Sequence, residues 1–138
     1  MVIDHIGIVV ESLTFGIDHW NKTFGYQQMT EMVINTIHKV NVVFLKKENS
    51  LMVKLIEPIG ETSPIYRFAK KGGGLHHICF KCRNLDSEIQ RLKNLGLRVL
   101  SEPQPGEAFD NELIAFLYAK QGINIELIDT EKRYMKLL

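Results

Sequence analysis

The chain has 138 residues, of which 45% are hydrophobic and 24% charged, with a formal net charge of +1. That is enough for one compact domain, and the charge balance gives no reason to expect nucleic acid or a membrane surface as partner. Apolar runs such as Ile6 to Val10 fall far short of the ~20 residues of a membrane span, and Asp4 interrupts any signal-peptide pattern, so cytoplasm is the expected compartment.

Ile3 to Val10 is rich in β-branched residues and predicts a strand, with His5, Gly7 and Val9 on one face and Asp4, Ile6, Ile8 and Val10 on the other. Ser12 is a candidate helix cap, and Leu13, Ile17, Trp20 and Phe24 keep a helical period up to Gly25. Gln27 to Asn35, Lys39 to Leu45 and Leu51 to Ile56 read as three further strands, with Glu57 solvated at the end of the last. A connector follows: Ser63 to Phe68 predicts a short helix capped by Ser63, and Lys70-Lys71-Gly72-Gly73-Gly74 reads as a plain flexible linker, without the spacing of a nucleotide-binding loop.

The second half repeats the scheme. Leu75 to Cys82 predicts a strand, Asn84 or Asp86 can cap a helix carrying Leu85, Ile89, Leu92 and Leu95, and Arg98 to Ser101 is a short strand. Pro103 to Asp110 reads as a loop, Leu113 to Tyr118 and Ile123 to Ile128 as strands, and Glu131 to Leu138 as a charged tail. Cys79 and Cys82 form a C-x-x-C in sequence, but strand alternation sends them to opposite faces, which predicts two unrelated thiols.

The two halves are one module written twice. A shift of 72 residues carries His5 onto His77, Ile6 onto Ile78, Leu13 onto Leu85, Ile17 onto Ile89, and Leu55-Ile56 onto Leu127-Ile128. The expected organisation is one domain over residues 1–138, with modules at about 2–58 and 75–129, a connector at 59–74 and a tail at 130–138. The predicted fold class is α+β: two βαβββ modules whose bare faces form a curved sheet around a cleft. The duplication then delivers equivalent positions to one place, bringing together His5 with His77 and residue 54 with Glu126. A carboxylate in an apolar strand is costly to bury unless paired or metal-bound, and two histidines with a carboxylate suit Zn²⁺, Ni²⁺, Co²⁺ or Fe²⁺.

The stretches Asp4-His5-Ile6-Gly7-Ile8-Val9-Val10, Ser63-Pro64-Ile65, Gly74-Leu75-His76-His77-Ile78 and Ile125-Glu126-Leu127 resemble the vicinal oxygen chelate superfamily, the glyoxalase and bleomycin resistance group. Within it they are similar to the glyoxalase I (lactoylglutathione lyase) and methylmalonyl-CoA epimerase branch. The resemblance implies a divalent metal held by one residue from each of four strands. It matches His5, His77 and Glu126 to three ligands, with His76 facing away. It also implies a lyase or isomerase acting on an oxo or thioester small molecule, and a homodimer.

Two positions depart from that pattern. The fourth ligand position holds Lys54, whose ammonium cannot ligate a metal, and the acid–base position on the third strand matches Asn41. Three readings stay open. The metal sits on His5, His77 and Glu126 with Lys54 beside it as base or oxyanion partner. Alternatively, Lys54 pairs with Glu126 and replaces the metal in an enzyme that uses Lys54 directly. Or the chain is a non-enzymatic binding protein. The catalytic candidates are therefore Lys54 and Glu126, with Asn41 and Asn124 as candidate substrate contacts. Arg67, Lys70 and Lys71 could meet an anionic tail such as that of coenzyme A or glutathione, and Glu107, Asp110 and Glu112 read as a surface loop.

Overall fold

The computed structural model describes residues 1–137, so the last residue of the expected tail, Leu138, lies outside the described residues. The first module contains β1 (Val2–Val9), α1 (Leu13–Phe24), β2 (Gln27–Gln28), β3 (Val33–Asn35), β4 (Val40–Lys46) and β5 (Met52–Pro58). A short α2 (Tyr66–Lys70) leads into the second, with β6 (Gly74–Lys81), α3 (Leu85–Asn94), β7 (Arg98–Gly106), β8 (Glu112–Ala119) and β9 (Ile123–Ile128). All strands join one curved sheet in the order β2-β4-β5-β1-β6-β9-β8-β7, with β3 also on β4.

The seam between modules is the antiparallel pair β1 and β6, and each is flanked by the parallel last strand of its own module, β5 and β9. Ile6 lies opposite Ile78 at this seam, so the pseudo-twofold relation passes between two residues of equal rank. Alternation assigns the faces. Ile6, Ile8, Val43, Leu45, Val53 and Leu55 pack under α1 with Leu13, while Ala115, Leu117, Ile125 and Leu127 pack under α3 with Leu85, Ile89 and Leu92. The remaining apolar residues, including Val9, Val42, Phe44, Cys79, Phe109 and Ile128, fill the concave side.

Both helices begin with the same device. Ser12 Oγ accepts the Phe15 N–H at 3.2 Å, and Asn84 Oδ1 accepts the Ser87 N–H at 2.9 Å. A carboxylate from the end of the last strand of each module adds a second cap. Glu57 Oε2 accepts the Leu13 N–H at 2.7 Å, and Asp129 Oδ2 accepts the Leu85 N–H at 3.0 Å. Glu57 is thus engaged rather than solvated as expected.

Four local expectations are corrected. The strand expected over Gln27 to Asn35 is split into β2 and β3, because the Thr30 hydroxyl accepts the Phe44 N–H at 3.0 Å and interrupts the ladder. The connector helix starts at Tyr66 without a side-chain cap, and the Ser63 hydroxyl is buried without a partner. The glycine run is a shaped turn rather than a plain linker: Gly73 has φ +70°, and a Cβ there would fall 2.2 Å from the Val9 carbonyl oxygen. The proline-containing stretch after Ser101 continues β7 to Gly106, since this edge strand pairs β8 through irregular register that tolerates missing donors.

Candidate metal centre and cleft

His5 on β1, His77 on β6 and Glu126 on β9 meet on the concave side, each fully buried or nearly so. Nε2 of His5 lies 2.9 Å, and Nε2 of His77 3.1 Å, from Glu126 Oε1, and the two Nε2 atoms are 3.3 Å apart. Lys54 on β5 points into the same space, its Nζ 3.6 Å from Glu126 Oε2 and 5.1 Å from the centre of the Phe109 ring. The duplication therefore delivers all four equivalent side chains to one spot.

The close approach of His77 to the seam depends on its neighbour across the ladder. Gly7 faces His77, and a Cβ at Gly7 would lie 2.1 Å from the imidazole Cε1. Glycine is the residue that leaves room for this ring.

The residue before each histidine is pushed out of regular register. The ladder between β1 and β6 shifts around Asp4, and again around His76. Both side chains turn toward their neighbouring imidazole. Asp4 Oδ2 lies 2.7 Å from His5 Nδ1, and His76 Nδ1 lies 2.8 Å from His77 Nδ1. His76 was expected to face away, but the bulge brings it to the cleft wall instead.

Electrostatics suit a cation at this point. Burial pushes the His77 pKa down to about 3, with Lys54 and His5 adding to the effect against the pull of Glu126, so the ring is neutral near pH 7. Burial alone would raise the Glu126 pKa, but its neighbours, Lys54 foremost, outweigh it and hold the carboxyl well below its usual range. Asp4 behaves in the same way: burial is overcome by His5 and Arg133, and it stays ionised.

The donor set fits a divalent metal. Neither oxygen of Glu126 receives a well-formed hydrogen bond despite complete burial, and the two imidazoles crowd Oε1. With Nδ1–H of a neutral His5 donating to Asp4, Nε2 of that ring presents a lone pair to the carboxylate, an arrangement that asks for a positive charge between them. Metal–ligand bonds of about 2.0–2.2 Å place neighbouring donors roughly 2.9–3.5 Å apart. The donor separations of 2.9, 3.1 and 3.3 Å fall in that range. Lys54 reaches the same group and, as an ammonium, offers it a charge rather than a lone pair. Asp4, His5 and Cys79 also lie close together, but burial raises the Cys79 thiol well above its usual pKa and disfavours thiolate ligation.

A cavity of about 310 Å³ opens above this cluster, lined among others by His38, Val42, Lys54, His76, Phe116 and Asn124. Asn124 was a candidate substrate contact and lines the cavity, its amide donating to the His76 carbonyl at 3.3 Å. Asn41 is a correction. Val40 and Val42 carry the concave phase of β4, and Asn41 turns to the other face, where its amide donates to Glu57 Oε1 at 3.0 Å. The cleft-facing residue beside it is Val42, which has no acid–base chemistry.

His38 was not singled out in the sequence, because it falls in the turn between β3 and β4, outside any periodic pattern. Its ring packs edge-on to Phe116 at 5.8 Å, and Phe116 also meets His76 and His77. Two contacts fix the turn: Asn35 Oδ1 accepts the His38 N–H at 2.9 Å, and Glu107 accepts from both the backbone and hydroxyl of Thr36. Burial, then Lys54, lower the His38 pKa, which favours the neutral ring. Glu107 thus anchors the cleft wall rather than lying on a free surface loop.

Comparison with known proteins identifies the fold and the family. The model of the Glyoxalase/Bleomycin resistance protein/Dioxygenase superfamily matches residues 4–116. The ethylmalonyl-CoA/methylmalonyl-CoA epimerase of Cereibacter sphaeroides is 31% identical over 129 residues, covering 91% of this chain and 95% of that protein. Methylmalonyl-CoA epimerase from Mycobacterium tuberculosis superposes with a TM-score of 0.82 at 28% identity, over 93% of this chain and 87% of that one. The Streptomyces coelicolor enzyme in complex with 2-nitronate-propionyl-CoA gives 0.82 at 29%, over 95% and 98%. By its matched residues and its paired modules, the chain belongs to the glyoxalase, bleomycin resistance and dioxygenase superfamily.

Proposed function

We propose that this protein is a metal-dependent isomerase that moves a proton next to the carbonyl of an acyl-CoA thioester. The observation that carries the reading is the buried His5–His77–Glu126 set at the floor of a cavity, in a chain similar to epimerases of such thioesters. A divalent ion held by His5, His77 and Glu126 would polarise the thioester carbonyl and stabilise the negative charge that develops on its oxygen.

The chain's own residues supply the rest. Lys54 brings a fixed positive charge to the same oxygen, in a pocket where low dielectric strengthens it. His38, neutral and facing the cavity, accepts the proton from the α-carbon, and its imidazolium returns it to the opposite face of the planar enolate once that has turned in the cavity. Phe116, Val42 and Ile114 keep the reacting carbon away from water, and the Asn124 amide orients the wall that carries His76. The cavity suits the acyl end of the substrate, with the long coenzyme portion running outside it. Val42 leaves the third strand without a carboxylate, so proton transfer rests on His38, with Lys54 as the charge on the oxygen, rather than on a second glutamate.

A second reading is favoured by one contact: the Lys54 ammonium already neutralises Glu126 Oε2 at 3.6 Å. In that reading no metal binds, and the cleft is a pocket for a small anion, with or without chemistry at Lys54. The deciding experiment incubates protein loaded with Co²⁺ or Zn²⁺ with methylmalonyl-CoA and ethylmalonyl-CoA in D₂O and follows α-proton exchange by NMR. The isomerase reading expects exchange, and its loss in His38→Gln and His77→Ala. Absence of exchange in protein that binds metal would overturn it, and protein that takes up neither metal would favour the pocket reading.

A further inference from the structure

The tail after β9 has no counterpart in the duplicated pattern and lies beyond the matched residues 4–116. It nevertheless reaches the centre of the molecule. The Arg133 guanidinium pairs with the Asp4 carboxylate, and their side chains are only 3% and 6% exposed. The same guanidinium rests on the Phe44 and Phe109 rings, 4.8 Å from each centroid. Those rings also enclose His5, at 5.1 Å edge-on and 6.1 Å stacked.

The backbone around Arg133 is tied to both modules. The Tyr134 N–H donates to the Ala108 carbonyl at 3.0 Å, in the second module. In the first, the Leu137 N–H donates to Met29 at 2.8 Å, the Met135 carbonyl accepts from Glu31 at 2.9 Å, and Lys136 bridges to Thr30. The tail is a strap that ties the two modules together.

We propose that Arg133 is a positioning residue for the metal centre: by clamping the Asp4 carboxylate against Nδ1 of His5, it fixes the tautomer and direction in which His5 presents Nε2. The chemistry is that of a carboxylate behind a metal-bound imidazole. Asp4 accepts the hydrogen bond donated by Nδ1–H, which in the neutral ring leaves Nε2 unprotonated and 2.9 Å from the Glu126 oxygen. Without Arg133 the carboxylate sits buried as an unbalanced charge, free to take water and swing off the ring. Arginine suits the place because its planar cation lies on two aromatic faces while its nitrogens reach sideways to Asp4. The second module solves the same problem with His76 on His77 and needs no strap.

The inference rests on the metal reading above, and the test separates the two. Arg133→Met keeps the apolar stem, and Arg133→Lys keeps the charge. Co²⁺ titration followed by its visible absorption should show affinity falling about 10- to 100-fold in Arg133→Met, with Arg133→Lys in between. Imidazole ¹⁵N shifts of the metal-free proteins should show His5 protonated at Nδ1 in the wild type and a mixture of tautomers in Arg133→Met. Unchanged Co²⁺ affinity together with an unchanged His5 tautomer would overturn the proposal and leave the strap a purely structural tie. A wild type that binds no Co²⁺ would remove the metal reading, and the tautomer comparison would then decide the positioning role alone.

Discussion

Replacing Gly7 by alanine tests the construction of the centre from a residue that carries no chemistry. The added Cβ would lie 2.1 Å from Cε1, 2.4 Å from Nδ1 and 2.5 Å from Nε2 of His77. Comfortable carbon contacts need about 3.5 Å, so ring and strand must separate by roughly 1.4 Å. The imidazole cannot yield freely, because Glu126 and His76 hold it on two sides. Overpacking of this kind costs about 1–3 kcal/mol, and the shifted Nε2 should lose its place in the donor set. Urea denaturation of the metal-free protein should therefore show a lower midpoint, and Co²⁺ titration a weaker or absent site. Removing the ring creates the missing room, so Gly7→Ala should cost at least about 1 kcal/mol less in a His77→Ala background than alone. A Gly7→Ala protein with wild-type urea midpoint and wild-type Co²⁺ affinity would refute the packing argument.

Three further outcomes follow from the described contacts. Lys54→Gln should raise Zn²⁺ affinity by about tenfold or more, because it removes a cation 3.6 Å from Glu126 Oε2; calorimetry giving an unchanged affinity would show that Lys54 does not compete for that carboxylate. The metal-free protein should lose stability in acid. His77 titrates at about 3 when folded against 6.5 when unfolded, so between these values the unfolded chain binds the extra proton. Stability then falls with falling pH by up to about 1.4 kcal/mol per unit, and Glu126, held low in the fold, adds to the loss below its usual value of 4.5. A urea midpoint that stays flat from about pH 7 to 4 would contradict the burial of a neutral His77. Glu57→Ala should destabilise by about 1 kcal/mol through the lost cap on Leu13, with faster amide exchange confined to the start of α1; Asp129→Ala should do the same at α3, and unaltered exchange in both would refute the shared capping role.

The fold and the centre were legible where the two copies agree. His5, His77 and Glu126 could be read because a repeat fixes both the strand phase and the partner position, even though they are far apart in sequence. Asn41 misled because Val42-Val43-Phe44-Leu45 is apolar on both faces and offers no alternation to set the phase of β4. His76 misled for a different reason: a bulge shifts register by one residue and leaves no mark in composition. The extension of β7 past Pro103 was hidden by prolines that an edge strand can carry. Arg133 lies in the tail, outside the repeat, and His38 in a turn between strands of the first module, and the contacts of both arise only through packing.

The positions of Lys54 and Glu126 have a consequence for the symmetry of the fold. They are the same site in the two modules, facing each other across the seam, and they carry opposite charges. Two identical modules associating by a twofold axis would place two lysines or two glutamates there, each repelling its twin. With both copies in one chain that constraint is absent, because each half can carry a residue its image does not. The chain thus holds a buried cation and its carboxylate partner at a symmetric point, an arrangement that no symmetric assembly of a single module could furnish.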